Sequence, residues 1–500
     1  MVAQAHTFTL DGASARHVVV ELDVRPGLPA FTIVGLADPA VREARERIQA
    51  AIRNSGFQWP PRRITANLAP GDLRKAGPGL DLALACAILA ATGQVPAERL
   101  RRIAMFGELG LDGSIRPAQG TLAVADAARR GGLARLAVAS AASHAAGLVE
   151  ELEVAPLGSL RSAARLLRGG PPDPVPQRFG APPESAPRPD ATCAEPELAD
   201  VRGVAQAVRA LVIAAAGGHN LLLTGPPGVG KTMLARRVPG ILPPLDAEEA
   251  IEAARIRGVS PDGTQALDRR RPFRAPHHTT TAAGLVGGAG NRWLGEVTLA
   301  HRGAQFLDEV TEFPRSSLEA LRQPLEEGRV TIARARGSVV LPASFMLLCA
   351  TNPCLCGGCG GCRCSVGDRE RHARKLSGPL LDRIDVRIRL GAPTREPGTT
   401  SSVDARAAVE RARERQRARL AGEGSTVNAQ MDAGMLTRHV RLDAAGERVL
   451  REASASGALS ARGEHRAISL ARTIADLAED DRVRVSHLRE ALGLRAMPSP

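Results

Sequence analysis

Two periodicities of apolar residues divide the chain into blocks. His17-Val-Val-Val-Glu-Leu-Asp-Val24 closes in the alternation of a half-buried strand, and Phe31-Thr-Ile-Val34 predicts a second strand before a turn. Asp38-Pro39 then offers an N-cap and a first-turn proline. Val41, Ala44, Ile48 and Ala51 follow on one helical face, and Gly56 stops the helix. A helix from Asp81 to about Thr92 is apolar nearly all round, which predicts burial on every side. Residues 1–168 thus read as one α/β unit. Residues 169–195 are crowded with proline, as in Gly-Gly-Pro-Pro-Asp-Pro-Val-Pro176, and predict a semi-extended linker that does not pack.

A second α/β block spans residues 196–392. Leu221, Leu222 and Leu223 form a short apolar run that predicts a buried parallel strand, and a helix is expected to begin at Met233-Leu-Ala-Arg-Arg237. Phe306-Leu307-Asp308-Glu309 is another apolar strand, ending in two carboxylates. Alternation on both sides of Arg336-Gly-Ser338 predicts a hairpin over Arg329-Val-Thr-Ile-Ala-Arg-Ala-Arg-Gly-Ser-Val-Val-Leu-Pro342. After a short Pro/Gly/Thr/Ser junction, residues 403–495 read as all-helical. The first of these helices carries Arg406, Arg411, Arg413, Arg415, Arg417 and Arg419, a pattern expected of a solvated face.

Between the Leu221 strand and its helix lies Gly225-Pro226-Pro227-Gly228-Val229-Gly230-Lys231-Thr232, which matches the phosphate loop G-x-x-x-x-G-K-[ST]. Its glycines let backbone N–H groups converge on phosphates, Lys231 reaches the β and γ oxygens, and Thr232 holds Mg²⁺. ATP and Mg²⁺ are therefore the expected cofactors. Downstream of such a loop, Asp308 suits Mg²⁺ coordination and Glu309 suits polarisation of a water. Of the 66 basic residues only Lys75, Lys231 and Lys375 are lysines. In so arginine-rich a chain, a lysine in the loop marks a need for a compact ammonium.

Composition narrows the partners. The formal charge of +13 favours a polyanion, although a general preference for arginine accounts for the same bias. With no tyrosine, two tryptophans and nine phenylalanines, a row of stacking platforms is not expected, so in any DNA contact phosphates should dominate over bases. No apolar run approaches a membrane span, and the N-terminus lacks a basic segment followed by an apolar core; a cytoplasmic protein is expected. Six of the eight cysteines lie between Cys349 and Cys364, which favours a metal or local redox site over a disulfide framework. If a metal binds, Cys354, Cys356, Cys362 and Cys364 are the expected ligands to Zn²⁺, with Cys359 spare; reduced, unliganded thiols fit the same sequence.

Longer matches carry a family resemblance. Asp200-Val-Arg-Gly203, Ala214-Ala-Ala-Gly-Gly-His-Asn220, Arg274-Ala-Pro-His-His278, Gly295-Glu-Val-Thr-Leu-Ala-His301, Leu321-Arg-Gln-Pro-Leu-Glu-Glu327 and Ser377-Gly-Pro-Leu-Leu-Asp-Arg-Ile-Asp385 resemble the YifB/ComM family of AAA+ ATPases, often labelled magnesium-chelatase-like. Arg63-Ile-Thr-Ala-Asn-Leu-Ala-Pro70 and Asp72-Leu-Arg-Lys-Ala-Gly-Pro78 extend the resemblance into the N-terminal block. It implies an α/β P-loop AAA+ domain with a helical lid, preceded by a Lon-protease-like α+β domain. It also implies that Asn352 is sensor 1, Arg383 the arginine finger and Arg462, preferred to Arg466, sensor 2. A finger acting on the adjacent subunit implies a ring, expected to be a hexamer. Where Lon has its serine this chain has Gly79, and where Lon has its lysine it has Leu122, so no protease is expected.

The function implied is an ATP-driven helicase that promotes branch migration of recombination intermediates, as in natural transformation. Arg334 and Arg336 on the hairpin are the candidate contacts to branched or single-stranded DNA, with a solvated hairpin tip as the other reading. Arg269-Arg-Arg-Pro-Phe-Arg-Ala-Pro-His-His278 offers a second basic element, its histidines expected to shape the loop. The alternative is a chelatase-like ATPase subunit that remodels a protein partner, although such a subunit is not expected to carry a Lon-like domain.

Overall fold

The structure is a computed structural model that describes residues 2–175, 196–260, 268–288, 294–334, 337–357, 362–391, 398–455 and 459–496. It divides into two units, Met1–Ala186 with Ala247–Asp268, and Pro187–Asp246 with Arg269–Pro500.

In the first unit a seven-stranded sheet runs in the spatial order Ala30–Val34, Arg63–Ala69, Ser14–Arg25, Val2–Asp11, Ala104–Phe106, Arg135–Ala139, Glu153–Leu157. Val2–Asp11 and Ser14–Arg25 pair as an antiparallel hairpin, turning on Gly12 in the left-handed region at φ 66°. The expected helix runs Pro39–Asn54: Asp38 caps it by accepting from the Val41 N–H at 2.8 Å, and Val41, Ala44, Ile48 and Ala51 are all buried. Every residue of the helix Asp81–Ala91 is buried, as its uniform apolarity predicts. Asp81 is the polar member of that helix and is held by Arg47 at 2.9 Å. Burial pushes the Asp81 carboxyl up to about 6, with Arg47 opposing.

Two boundaries differ from the sequence reading. The proline-rich segment begins as a packed strap: the Asp173 N–H donates to the Pro156 carbonyl (3.0 Å), Asp173 Oδ2 accepts from the Gly158 N–H (2.6 Å), and Arg165 pairs with Asp173. The expectation of an unpacked chain fails for residues 169–175 because one aspartate supplies polar contacts that the proline count hides. Residues 176–195 lie outside the described residues. The second difference is the helix Ala247–Gly258, which belongs to the first unit and not to the nucleotide block around it in sequence. Ala254 is buried with Phe8, Leu122 and Ala125, and Arg255 donates to Asp126 Oδ2 and Ser14 Oγ, each at 2.7 Å.

The second unit is built on a five-stranded parallel sheet in the order Phe273–Arg274, Ala304–Leu307, Met346–Thr351, Leu221–Thr224, Val386–Arg389. Its central strands are buried on both faces, which is why they read as continuous apolar runs. The helices Ser402–Arg419, Ala433–His439, Ala444–Ala455, Ala461–Leu477 and Val485–Arg495 make up the C-terminal region. The arginine-dense helix is less solvated than its sequence suggests. Arg413 donates to the Ala215 carbonyl (2.7 Å), Arg406 to the Gly240 carbonyl (2.8 Å), and Arg419 pairs with the buried Asp476; Arg411 and Arg417 are exposed. Among the described residues no helix is long and apolar enough to cross a membrane.

Candidate nucleotide site

The central strand Leu221–Thr224 delivers the chain into the phosphate loop. The Gly225 N–H donates to the Thr351 carbonyl of the neighbouring strand at 3.2 Å, and a Cβ on Gly225 would stand 2.7 Å from the Leu390 carbonyl oxygen. Gly228 and Gly230 take φ of 82° and 92°, so two of the motif's glycines are required by backbone conformation. The helix after the loop starts at Lys231, two residues before the expected Met233, so its first turn faces the loop.

Residues from three separate stretches of sequence meet here. Lys231 Nζ donates to the carbonyls of Gly225 (2.6 Å) and Pro226 (2.7 Å) and to Asn352 Oδ1 (3.0 Å), while Thr232 Oγ1 donates to Asp308 Oδ2 at 2.7 Å. The fit to Mg²⁺ and a polyphosphate is chemical. The ammonium is engaged by oxygens of its own loop, the type of acceptor a phosphate offers, and the threonine hydroxyl and the carboxylate it bonds are the kind of oxygen pair an oxygen-seeking cation takes. Glu309 follows at φ 49° and ψ 48°, a left-handed conformation uncommon for a residue with a side chain, and lies 3.7 Å from His278 Nδ1. Its exposed carboxylate thus projects from the strand end beside Asp308, whose Oδ1 accepts the Glu309 N–H at 3.0 Å.

Arg383 and Arg462 meet elsewhere. Both pair with Glu326, and Arg383, which is buried, also donates to the Pro379 carbonyl at 2.6 Å. Arg383 first, and Arg462 after it, hold the Glu326 carboxyl below its ordinary range. Arg466 is committed to a different network, 3.3 Å from the buried Asp385, so of the two arginines weighed for sensor 2 only Arg462 shares a partner with Arg383. Sequence reasoning missed Glu326, although it lies inside a quoted family segment. It also assigned no role to His219 and Asn220. Asn220 Nδ2 donates to the Arg383 carbonyl (2.8 Å), its Oδ1 accepts from the Leu347 N–H (2.8 Å), and His219 bridges Thr473 (2.8 Å) and Asp385 (3.4 Å). These two residues tie the Arg383 segment to the central sheet.

Other candidates divide. The hairpin forms, Arg329–Arg334 pairing with Gly337–Pro342; Arg336 and the side chain of Arg334 lie outside the described residues. In the second basic element, Arg274 is paired with Glu296 through 2.7 and 2.9 Å bonds, Arg271 donates to the Arg302 carbonyl at 2.7 Å, and His277 bonds Thr279 at 2.9 Å. Much of that segment's charge is used within the protein, and His277 bonds inside its own loop. In the N-terminal unit a Cβ on Gly79 would stand 2.2 Å from Phe106 Cε2, and Leu122 is in the core. Neither position can present a nucleophile or a base.

Strand, phosphate loop, carboxylate-tipped neighbour strand and helical C-terminal region define a P-loop ATPase domain of the AAA+ class. Family models agree over most of the chain: "Magnesium chelatase, subunit ChlI" matches residues 197–397, "Subunit ChlI of Mg-chelatase" residues 20–142, and "Magnesium chelatase, subunit ChlI C-terminal" residues 399–495. An uncharacterized Mycobacterium tuberculosis protein is 40% identical over 508 residues, covering 99% of this chain and 98% of its own. The uncharacterized YifB protein of Escherichia coli is 38% identical over 507 residues (98% and 96%), and competence protein ComM of Haemophilus influenzae 38% over 496 (97% and 96%). The chain belongs to the YifB/ComM family.

Proposed function

We propose that the chain is an ATP-driven DNA motor that assembles as a ring, a hexamer, and promotes branch migration of recombination intermediates. The observation that carries this reading is the placement of the hairpin. Val330 and Leu341, one on each strand, pair across its base and are buried, and Val330 shares one apolar cluster with Leu307, Leu347 and Cys349 from the strands that lead to Asp308 and Asn352, and with Ile384 beside Arg383. A shift of those strands on hydrolysis is therefore felt at the hairpin through close-packed side chains. Likeness to a competence protein over nearly the whole length supports the same reading.

In this reading Lys231 and the loop N–H groups bind the β and γ phosphates, and Thr232 and Asp308 would hold Mg²⁺, which would supply neutralisation of phosphate charge. Glu309 orients and polarises the attacking water, with Asn352 beside it. Arg383 leaves Glu326 to meet the phosphates bound by the neighbouring subunit, and Arg462 is released with it. Arg334 and Arg336 contact DNA phosphates without reading sequence.

The matching family models all bear chelatase names, including the one over residues 20–142, so the N-terminal unit does not argue against a chelatase-like remodelling subunit. DNA decides between the two readings. A motor hydrolyses ATP faster with branched or single-stranded DNA and converts labelled four-way junctions to products with ATP. Turnover indifferent to DNA, with junctions left intact, overturns the motor. Glu309→Gln should lower kcat about 10³-fold while ATP stays bound; normal turnover refutes the assigned base.

A further inference from the structure

Cys354, Cys356, Cys362 and Cys364 bring their sulfur atoms within 4.8 Å of one another. Cys354 lies 3.4 Å from Cys356 and 3.5 Å from Cys362, and Cys356 lies 3.4 Å from Cys362. Metal–sulfur bonds of about 2.3 Å in a tetrahedron set sulfur–sulfur edges near about 3.8 Å, whereas a disulfide needs about 2.05 Å. The observed spacings lie well outside a disulfide and close to the edge of a ligand shell, and none of the four cysteines is in a disulfide. Thiols have little reason to converge otherwise, being weak donors and weak acceptors. Four thiolates select a soft, tetrahedral cation.

The position of this knot matters as much as its geometry. The chain leaves Asn352, passes Cys354 and Cys356, returns through Cys362 and Cys364, and enters the helix Val366–Ala373 capped by Ser365. From that helix His372 Nε2 lies 3.0 Å from the Asn352 carbonyl. On the other side Gly357, at φ 84°, abuts the phosphate loop so closely that a Cβ would stand 2.8 Å from Pro227 Cδ. Asn352 itself accepts from Lys231 at 3.0 Å. Both sides of the cysteine loop therefore touch the nucleotide site.

We infer that these four cysteines bind one Zn²⁺ ion, losing their protons to solvent as they do so, and that the closed loop positions Asn352 and Pro227 for nucleotide. The positioning half rests on the nucleotide reading; the metal half stands on the thiols alone. The test uses the full chain purified with reductant and without air. Zinc content is measured by elemental analysis, Co²⁺ is exchanged in, and binding of a fluorescent ATP analogue is titrated without turnover. The expected result is about one equivalent of zinc and the intense d–d bands of a tetrahedral thiolate Co²⁺ site, both lost in the C362S/C364S double variant. Analogue affinity should fall about tenfold in that variant and in chelator-stripped wild type, the effect of one charge-assisted hydrogen bond, and recover on adding Zn²⁺ to the wild type only. Folded wild type without zinc, zinc retained by the double variant, or disulfides among the four cysteines in mass spectrometry overturns the site. Metal loss with unchanged affinity overturns the positioning role. Zinc bound by a chain that takes no nucleotide removes the nucleotide reading and leaves the metal site in place. If the double variant does not fold, stripping and restoring wild type gives the same decision.

Discussion

Each unit buries one lysine on backbone carbonyls, and the two differ in what can replace those carbonyls. Lys75 is fully buried, donates to the Pro70 carbonyl, and has its pKa lowered by burial with Asp72 opposing. Its own N–H and C=O are also taken, by the Leu36 carbonyl at 3.2 Å and the Asp38 N–H at 3.0 Å. Lys231 makes the same type of contact from a loop whose glycines leave the backbone accessible, with Thr232, Asp308 and Asn352 beside it. The two lysines thus differ in whether their carbonyl acceptors are sealed in or stand in a loop where a ligand's oxygens can take their place.

The largest effect expected breaks that contrast directly. Lys231→Met should lower ATP turnover about 10³-fold by removing a donor aimed at developing phosphate charge. Lys75→Met should leave turnover per folded molecule unchanged and cost about 1–3 kcal/mol in urea denaturation by stranding a buried carbonyl. Steady-state ATPase rates on both variants check this; a comparable rate loss in Lys75→Met would erase the distinction. Gly79→Ser comes next. It should restore no hydrolase activity and cost about 1–3 kcal/mol, because its Cβ must displace the Phe106 ring; peptidase assays and denaturation midpoints test both halves.

Two buried aspartates sharpen the comparison through pH. Burial raises both, but at Asp385 Arg466, His219 and Arg495 outweigh it and bring the carboxyl down to about 2, whereas Arg47 and the Leu109 N–H leave Asp81 at about 6. A depressed folded value stabilises above the unfolded pKa, so Asp385 contributes about 2 kcal/mol that is lost as pH falls from about 4 to about 2. A raised value works in the opposite sense: Asp81 favours folding below pH of about 4, and this stability is lost as pH rises through about 6. Denaturant titrations of D385N and D81N against wild type across that range should each flatten the corresponding slope, in opposite directions. The smallest effect belongs to the exposed pair of Arg411 and Glu479; Arg411→Ala should change stability by about 0.5 kcal/mol or less, measured by the thermal midpoint.

Local chemistry made much of the nucleotide site legible. Loop, threonine, lysine and the carboxylate pair lie in short contiguous motifs, each with its own conformational requirement. The helices Pro39–Asn54 and Asp81–Ala91 were legible from a cap and from apolar periodicity. What escaped depends on distance along the chain. Glu326 meets Arg383 and Arg462 across separations of 57 and 136 residues, and no local pattern distinguishes it from its neighbour Glu327. Ala247–Gly258 reads as an ordinary helix; only Arg255 meeting Asp126, 129 residues away, assigns it to the other unit. The strap at Asp173 escaped for a related reason, since proline content reports on backbone freedom and not on one side chain's hydrogen bonds.

The excursion of Ala247–Asp268 into the first unit limits how this protein can be taken apart. The chain passes between units at three points, after Ala186, after Asp246 and after Asp268, so a single cut cannot yield both units whole. A fragment ending at Ala186 leaves Asp126 with no Arg255 and the apolar cluster around Phe8 without Ala254. The second unit cannot be exchanged as a cassette either, because removing the excursion forces Asp246 and Arg269 to be joined anew. Separating the two units therefore takes more than one cut and a new join.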